Sequence, residues 1–204
     1  MKRARKPNRK AKLTEEVKAE RARQRMLNTT RKYSVGTYIR KFVAPVFQQM
    51  IRAEAAAKPA GPVFAVVTDK ARLVHREIGQ CVCVTCGRVG PWKGDTMGGG
   101  PIETGHFLAS RRASIVLEET NAHPQCPHCN RHLGGNQGAY REWMRQVYGQ
   151  EEIDRLTRLK NTTRHFAKDE LVDLRIAFAA RLRAAEERIV GVRFARYLEE
   201  NTDE

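Results

Sequence analysis

Two Cys-x-x-Cys pairs, Cys83/Cys86 and Cys126/Cys129, frame the part of this chain able to do chemistry. The 39 residues between the pairs include Glu103-Thr-Gly-His106-Phe and Asn121, and Asn130 directly follows the last cysteine. Four thiolates satisfy a tetrahedral zinc ion and leave no open position, so a site built from Cys83, Cys86, Cys126 and Cys129 is structural. A Gly-rich segment buries little, and binding of Zn2+ supplies the missing folding free energy. Cys81 is left over; it reads as a small buried residue, with competition for the place of Cys83 as the alternative.

Hydrolysis of a phosphodiester needs a base to activate water, a cation to neutralise charge on the leaving oxygen, and a scaffold that keeps the base in register. His106 is the candidate base, because an imidazole with a pKa of about 6.5 accepts a proton at neutral pH. Asn130 stands where a strand-to-helix finger would point its side-chain oxygen back toward His106, and an oxygen ligand suits Mg2+ or Mn2+. Asn121, five residues before Cys126, is placed to bridge backbone groups and fix the loop between strand and helix. Taken singly, a histidine is usually structural and a loop asparagine usually caps or turns. The order Cys-x-x-Cys, His, Asn, Cys-x-x-Cys-Asn is what favours the catalytic reading.

That order resembles the HNH, or His-Me finger, nucleases, and its Cys-x-x-Cys-Asn ending is similar to the phage recombination endonuclease VII group. The closer resemblance is to the phage NinG/Rap recombination nucleases, over roughly residues 83 to 185. It rests on Cys83-Val-Thr-Cys86-Gly87, Gly105-His106-Phe107 and Asn121-Ala-His123-Pro-Gln125-Cys126-Pro-His-Cys129-Asn130. Gly135-Asn136, Tyr140-Arg141 and Tyr148-Gly149-Gln150-Glu151-Glu152-Ile153-Asp154 extend it. The resemblance implies a ββα-metal core and an endodeoxyribonuclease of the Holliday junction resolvase type, cleaving branched DNA such as Holliday junctions and D-loops. It implies His106 as general base, Asn130 on the catalytic Mg2+ or Mn2+, Asn121 as the orienting asparagine, and the four cysteines on structural Zn2+.

One position departs from the pattern. Many HNH proteins carry an acidic or histidine metal ligand directly before the base, and here that residue is Gly105. Glu103 lies on the same strand face as position 105 and is taken as the replacement ligand; His123, His128 and His132 are the alternatives. Glu118 and Glu119 read as a solvated acidic turn. Gly105 also supports a competing reading, a non-catalytic zinc-containing DNA-binding protein. A general HNH nicking endonuclease without junction preference shares every site residue.

Charge fits a polyanionic partner. Residues 1 to 41 hold fifteen Lys/Arg against three Asp/Glu and so supply +12 of the formal +15. Neutralised phosphates release counterions whatever the base sequence, which suits such an arm to DNA. Lys2, Arg3, Arg5, Lys6, Arg9 and Lys10 of the arm, with Arg111, Arg112, Arg131 and Arg141 of the body, are the expected DNA contacts. Resolving a four-way junction takes two cuts placed by symmetry, so a homodimer is expected, with the helix from Asp169 as a candidate interface. Other phage or host recombination proteins are further expected partners. Clustered free thiols, no apolar leader and no long apolar run predict a cytoplasmic protein, in the host cell if phage-encoded, without membrane contact.

The elements that must position these residues are predicted to make an α+β, mostly helical fold: a zinc-stapled finger flanked by helices, with a basic arm. Residues 1–35 form the arm, disordered to about residue 12, then a polar helix capped by Thr14 and running to about Leu27. Residues 36–80 are expected to be helical. Ile39, Phe42, Val43, Val46, Phe47, Met50 and Ile51 keep a helical repeat in which Pro45 marks the first turn or a kink. Glu54 to Pro62 reads as a linker and Val63 to Ile78 as a second helix. Residues 81–150 form the nuclease module; Gly87 to Pro101, with six Gly and two Pro, reads as a long loop leading into a strand at Glu103 to Leu108. A helix from Ala139 to Tyr148 is predicted to stop at Gly149. In residues 151–204 helices follow at Glu151 to Lys160 and from Asp169 to Val190.

Overall fold

The computed structural model describes residues 14–68, 70–94, 100–109 and 113–201. Lys2, Arg3, Arg5, Lys6, Arg9, Lys10, Arg111 and Arg112 lie outside the described residues. Among the described residues six α-helices and three two-stranded antiparallel ribbons make an α+β, mostly helical fold around the four cysteines. Among the described residues no helix is long and apolar enough to cross a membrane.

Local chemistry sets the helical frame. Thr14 caps α1 (Glu15–Thr30), its hydroxyl accepting from the Val17 amide at 3.4 Å, with Glu15 and Glu16 in the positive first turn. After α2 (Val35–Tyr38) a π-helical turn, Ile39–Val43, leads into α3 (Ala44–Ala57). Pro45 stands at the start of α3 directly after the π-helical turn, where the wider turn accommodates a residue that has no N–H to donate. The repeat seen in the sequence is the face that α3 buries: Val43, Phe47 and Met50 are fully enclosed.

The partner of that face is α6 (Lys168–Asn201). Leu171, Val172 and Phe178 are buried against it, and Phe47 meets Phe178 at 5.2 Å between ring centres. The charged helix α1 docks on the same helix through Arg23, which donates to both Asp173 oxygens at 2.9 and 3.2 Å. The polar helix expected from the sequence is therefore folded onto the body. α5 (Gln137–Asn161) breaks at Gly149 as expected. Its first half buries Tyr140, Trp143 and Met144 in a second core with Phe107, Ile115, Ile153 and Leu156.

Residues 61–76 correct the expectation of a second helix. Gly61–Val67 (β1) and Lys70–Arg76 (β2) pair antiparallel, Val67 opposite Lys70. α3 continues to Ala57, so the stretch from Glu54 that read as linker is half helix. Arg76, 3% exposed, explains the join: its guanidinium donates to the carbonyls of Ala56, Lys58 and Pro59 where α3 ends. It satisfies carbonyls that a helix terminus otherwise leaves bare.

Two further ribbons carry the site. Gln80–Val82 (β3) pairs with Val89–Pro91 (β4), and Glu103–His106 (β5) with Ala122–Gln125 (β6). Short α4 (Ala113–Val116) and a 3-10 turn, Glu119–Asn121, connect β5 to β6; a π-helical turn, His128–His132, follows β6 and precedes α5. Val84 stitches the ribbons together, accepting from Val66 and donating to the carbonyl of Pro124, both at 3.0 Å. Glu118 and Glu119 form an acidic turn in which Glu119 stays exposed, but both carboxylates are paired. Arg155 pairs with Glu118, and Arg181 bridges Glu119 to Glu54, which ties the turn to α5, α6 and α3.

Candidate active site and metal centre

The four thiols converge. The Sγ atoms of Cys83, Cys86, Cys126 and Cys129 all lie within 4.8 Å of one another, and those of Cys86 and Cys126 are 3.7 Å apart. Zinc–sulfur bonds of about 2.3 Å in a tetrahedron require a sulfur–sulfur edge of about 3.8 Å, so this donor set fits zinc with little rearrangement. Each pair is a tight turn built by its own backbone: Gly87 N–H bonds to Cys83 O, and Asn130 N–H to Cys126 O, both at 2.9 Å. Gly87 has φ 74°, and a Cβ there would come within 2.6 Å of Val67. The turn thus needs glycine both for its conformation and for its approach to β1.

Hydrogen bonding favours a thiolate at Cys83 at the expense of its neighbours: the contact with Cys83, ahead of burial, raises the Cys86 pKa, and burial raises Cys129 to about 11. The Cys129 amide donates to Cys126 Sγ at 3.4 Å, and the Thr85 hydroxyl lies 3.4 Å from Cys83 Sγ. The Cys86 thiol, then the Thr85 hydroxyl, pulls Cys83 down to about 5 against the opposing effect of burial. Cys81 stands apart from this set. Its thiol, 1% exposed, donates to the Arg52 carbonyl at 3.2 Å, and burial pushes it up to about 12. It packs as a small inert residue.

The second turn delivers Asn130 to Glu103. Asn130 Nδ2 donates to Glu103 Oε2 at 2.8 Å, so the two residues expected to share a catalytic cation are side by side. One carboxylate and one amide oxygen are the hard donors that Mg2+ or Mn2+ prefers. Arg131 also holds Glu103, through Nε at 3.1 Å and through Nη2. The Arg131 side chain is 70% exposed and that of Glu103 16%. The expected DNA contact Arg131 is thus engaged by the carboxylate, while Arg141 lies over the Phe107 ring.

His106 lies three residues along the same strand, on the opposite side of β5 from Glu103. Its Nε2 is 3.1 Å from the carbonyl of Val116. A carbonyl only accepts, so Nε2 carries the proton and Nδ1 holds the lone pair. Burial depresses the His106 pKa, with the Val116 hydrogen bond opposing, so the ring is neutral at pH 7 with Nδ1 ready to take a proton. Asn121 is fully buried and spends its amide on backbone: Oδ1 accepts from Leu108 N–H at 2.8 Å, and Nδ2 donates to Leu108 O at 3.2 Å and Ile115 O at 3.3 Å. It fixes the ends of the β5–β6 connection.

Gly105 is explained by a neighbour the sequence did not single out. A Cβ at position 105 would fall 1.9 Å from Gln125 Oε1. Gln125 is itself fully buried, donating to Thr85 Oγ1 at 3.0 Å and to Gly135 O at 2.8 Å. No ligand fits at 105, because Gln125 fills the place. Of the alternative ligands, His123 has both ring nitrogens committed to tyrosine hydroxyls, while His128 and His132 stack on each other 5.9 Å apart.

Arg52 was also missed. It comes from α3, two core positions flank it, and nothing in its spacing marks it. Its Nε is buried without a hydrogen-bond partner. Burial depresses its pKa, with the charges of Cys81 and Glu103 acting oppositely, so Glu103 lies within Coulombic range of this guanidinium.

No curated protein and no solved structure matches the chain. The family model described as "Bacteriophage Lambda NinG protein" matches residues 62–188. The match takes in every cysteine, Glu103, His106, Asn121 and Asn130, and it spans well over half of the chain: this protein belongs to the NinG family.

Proposed function

We propose that this protein is a metal-dependent endonuclease that hydrolyses phosphodiesters in branched DNA recombination intermediates, Holliday junctions and D-loops among them. The observation that supports this best is the second cysteine turn, which closes the thiol cluster and in the next residue sets Asn130 against Glu103. Read this way, β5, β6 and the helical segment after them are a His-Me finger stapled by structural Zn2+. Glu103 and Asn130 would hold Mg2+ or Mn2+. Such a cation supplies charge neutralisation at the scissile phosphate and the leaving oxygen.

The protein's own groups do the rest. His106, neutral and held at Nε2 by Val116, takes the proton of the attacking water at Nδ1. Asn121 keeps the β5–β6 connection in register. The basic arm and Arg141 bind the backbone without reading sequence. Two copies place two cuts across a junction by symmetry, in the host cytoplasm and alongside other recombination proteins.

A second reading, a zinc-bearing DNA-binding protein without catalysis, is favoured by the ion pair that Arg131 makes with Glu103. A cleavage assay on four-way junction, duplex and single-stranded DNA with Mg2+ or Mn2+, beside His106→Ala, separates the two. Junction cleavage abolished by His106→Ala supports the nuclease; binding without cleavage under every metal supports the alternative. Equal cleavage of all three substrates removes the junction preference.

A further inference from the structure

His123 belongs to a closed chain of hydrogen bonds. Tyr140 Oη donates to the carbonyl of Gly105 at 3.1 Å, His123 Nδ1 lies 2.9 Å from Tyr140 Oη, and His123 Nε2 lies 3.0 Å from Tyr148 Oη. The directions are fixed by counting protons. A phenol has one, and Tyr140 gives it to a carbonyl, which only accepts. The Nδ1 contact must then run from imidazole N–H to Tyr140 oxygen, leaving Nε2 to accept from the Tyr148 hydroxyl.

The rings around His123 hold it in that pose. Trp143 is edge-on at 4.5 Å between centres, and its indole N–H donates to Phe64 O at 3.0 Å. Tyr140 is fully buried and His123 7% exposed. Burial, ahead of the charges of His106 and Lys58, brings His123 down to about 3, so the ring is neutral. A buried polar chain with every member satisfied specifies one geometry more sharply than an apolar core of the same volume.

The geometry it specifies is that of the peptide leading into His106. Gly105 has no side chain to restrict its own backbone, and the β5–β6 ribbon that pairs it with His123 ends at the next residue, so the peptide leading into His106 lies at the ribbon's margin. Gln125 closes the Cβ side and the Tyr140 hydroxyl holds the carbonyl. We propose that His123, as the neutral Nδ1–H tautomer, is a positioning residue: through Tyr140 it clamps the Gly105 carbonyl and so fixes the direction of the His106 ring. This rests on the nuclease reading of His106. It also assigns His123 away from metal binding, since neither ring nitrogen is free.

The test uses full-length protein, with zinc content and melting temperature as controls. Tyr140→Phe deletes one hydroxyl at nearly constant volume, His123→Phe removes both ring nitrogens, and His123→Asn keeps an N–H close to the place of Nδ1. Misplacing a reacting group by about 1 Å costs up to about a hundredfold in rate. Tyr140→Phe and His123→Phe are therefore expected to lower kcat on a four-way junction by about ten- to a hundredfold with KM unchanged, and His123→Asn to recover most of it. Long-range 15N spectra of the parent are expected to show His123 as the neutral Nδ1–H tautomer down to about pH 5. An Nε2–H tautomer, or parental kcat in folded Tyr140→Phe, overturns the proposal. If His123→Phe fails to fold, Tyr140→Phe and the tautomer still decide. A parent that cleaves no DNA sinks the nuclease reading instead. The clamp is then judged by the tautomer and by whether Tyr140→Phe moves the His106 amide resonance, an unmoved resonance counting against it.

Discussion

Asn121→Ala separates a residue that holds the site together from one that touches DNA. The side chain is fully enclosed and makes three hydrogen bonds, one accepted from Leu108 N–H and two donated to Leu108 O and Ile115 O. Such a hydrogen bond contributes about 1 kcal/mol net, and stranding the partly buried Leu108 N–H costs about 1 kcal/mol more. Truncation should therefore destabilise the protein by about 4 kcal/mol. For a chain of this size each kcal/mol moves Tm by about 2 to 4 °C, so calorimetry on the zinc-loaded protein should show a fall of about 8 to 16 °C. Asn121→Asp keeps the acceptor for Leu108 but turns a carboxylate oxygen toward two carbonyls, so it is expected to fare no better. Cleavage measured well below the lowered Tm should survive in part. A Tm within about 2 °C of the parent combined with complete loss of cleavage would refute this account and put Asn121 in contact with substrate.

Four further outcomes follow from the site. Cys126→Ser is expected to release the single zinc per chain and unfold the module around it, read by elemental analysis and circular dichroism; a folded, zinc-free variant would show that the cluster is not a metal centre. Glu103→Gln should weaken Mn2+ binding at least tenfold and Arg131→Ala should strengthen it, because the guanidinium competes for the same carboxylate; titration followed by electron paramagnetic resonance reads both, and no change in either removes Glu103 as a ligand. Because burial lowers the His106 pKa, the base stays unprotonated to below about pH 6.5 and is lost only as pH falls through the depressed value, so kcat/KM should rise with an apparent pKa under 6.5; a value above it would contradict the neutral, half-buried ring. Deleting residues 1 to 13, upstream of the Thr14 cap, should weaken binding to any DNA and flatten its salt dependence while junction preference persists; unchanged affinity with lost preference would make the arm the reader of the branch.

Histidine protonation also has a stability signature of known sign. His123 falls to about 3 in the folded protein against about 6.5 unfolded, so between those values the unfolded chain binds the extra proton. Its contribution is complete above pH 6.5 and is lost as pH drops toward 3, with a limiting slope of about 1.4 kcal/mol per pH unit.

The sequence by itself determined the features whose cause is local. Cysteine spacing named the four residues that converge, since each Cys-x-x-Cys pair folds through bonds within five residues, such as Gly87 to Cys83. Thr14, Pro45 and Gly149 marked a helix start, a first turn and a break because capping and backbone restriction act within one turn. The face of α3 was legible from its period, though not that α6 covers it. Tertiary structure alone decided what depends on partners far along the chain. Val63 to Ile78 looks helical until β1 and β2 pair and Arg76 reaches back about twenty residues to close α3. Glu119 looks unpaired until Arg181 arrives from 62 residues away. Gly105 reads as a missing ligand until Gln125 occupies its side-chain space, and His123 as a free imidazole until two tyrosines from α5 bind both its nitrogens. Periodicity and spacing report interactions within a few residues, whereas burial, tautomer and charge pairing are set by whichever distant side chain the packed core brings alongside.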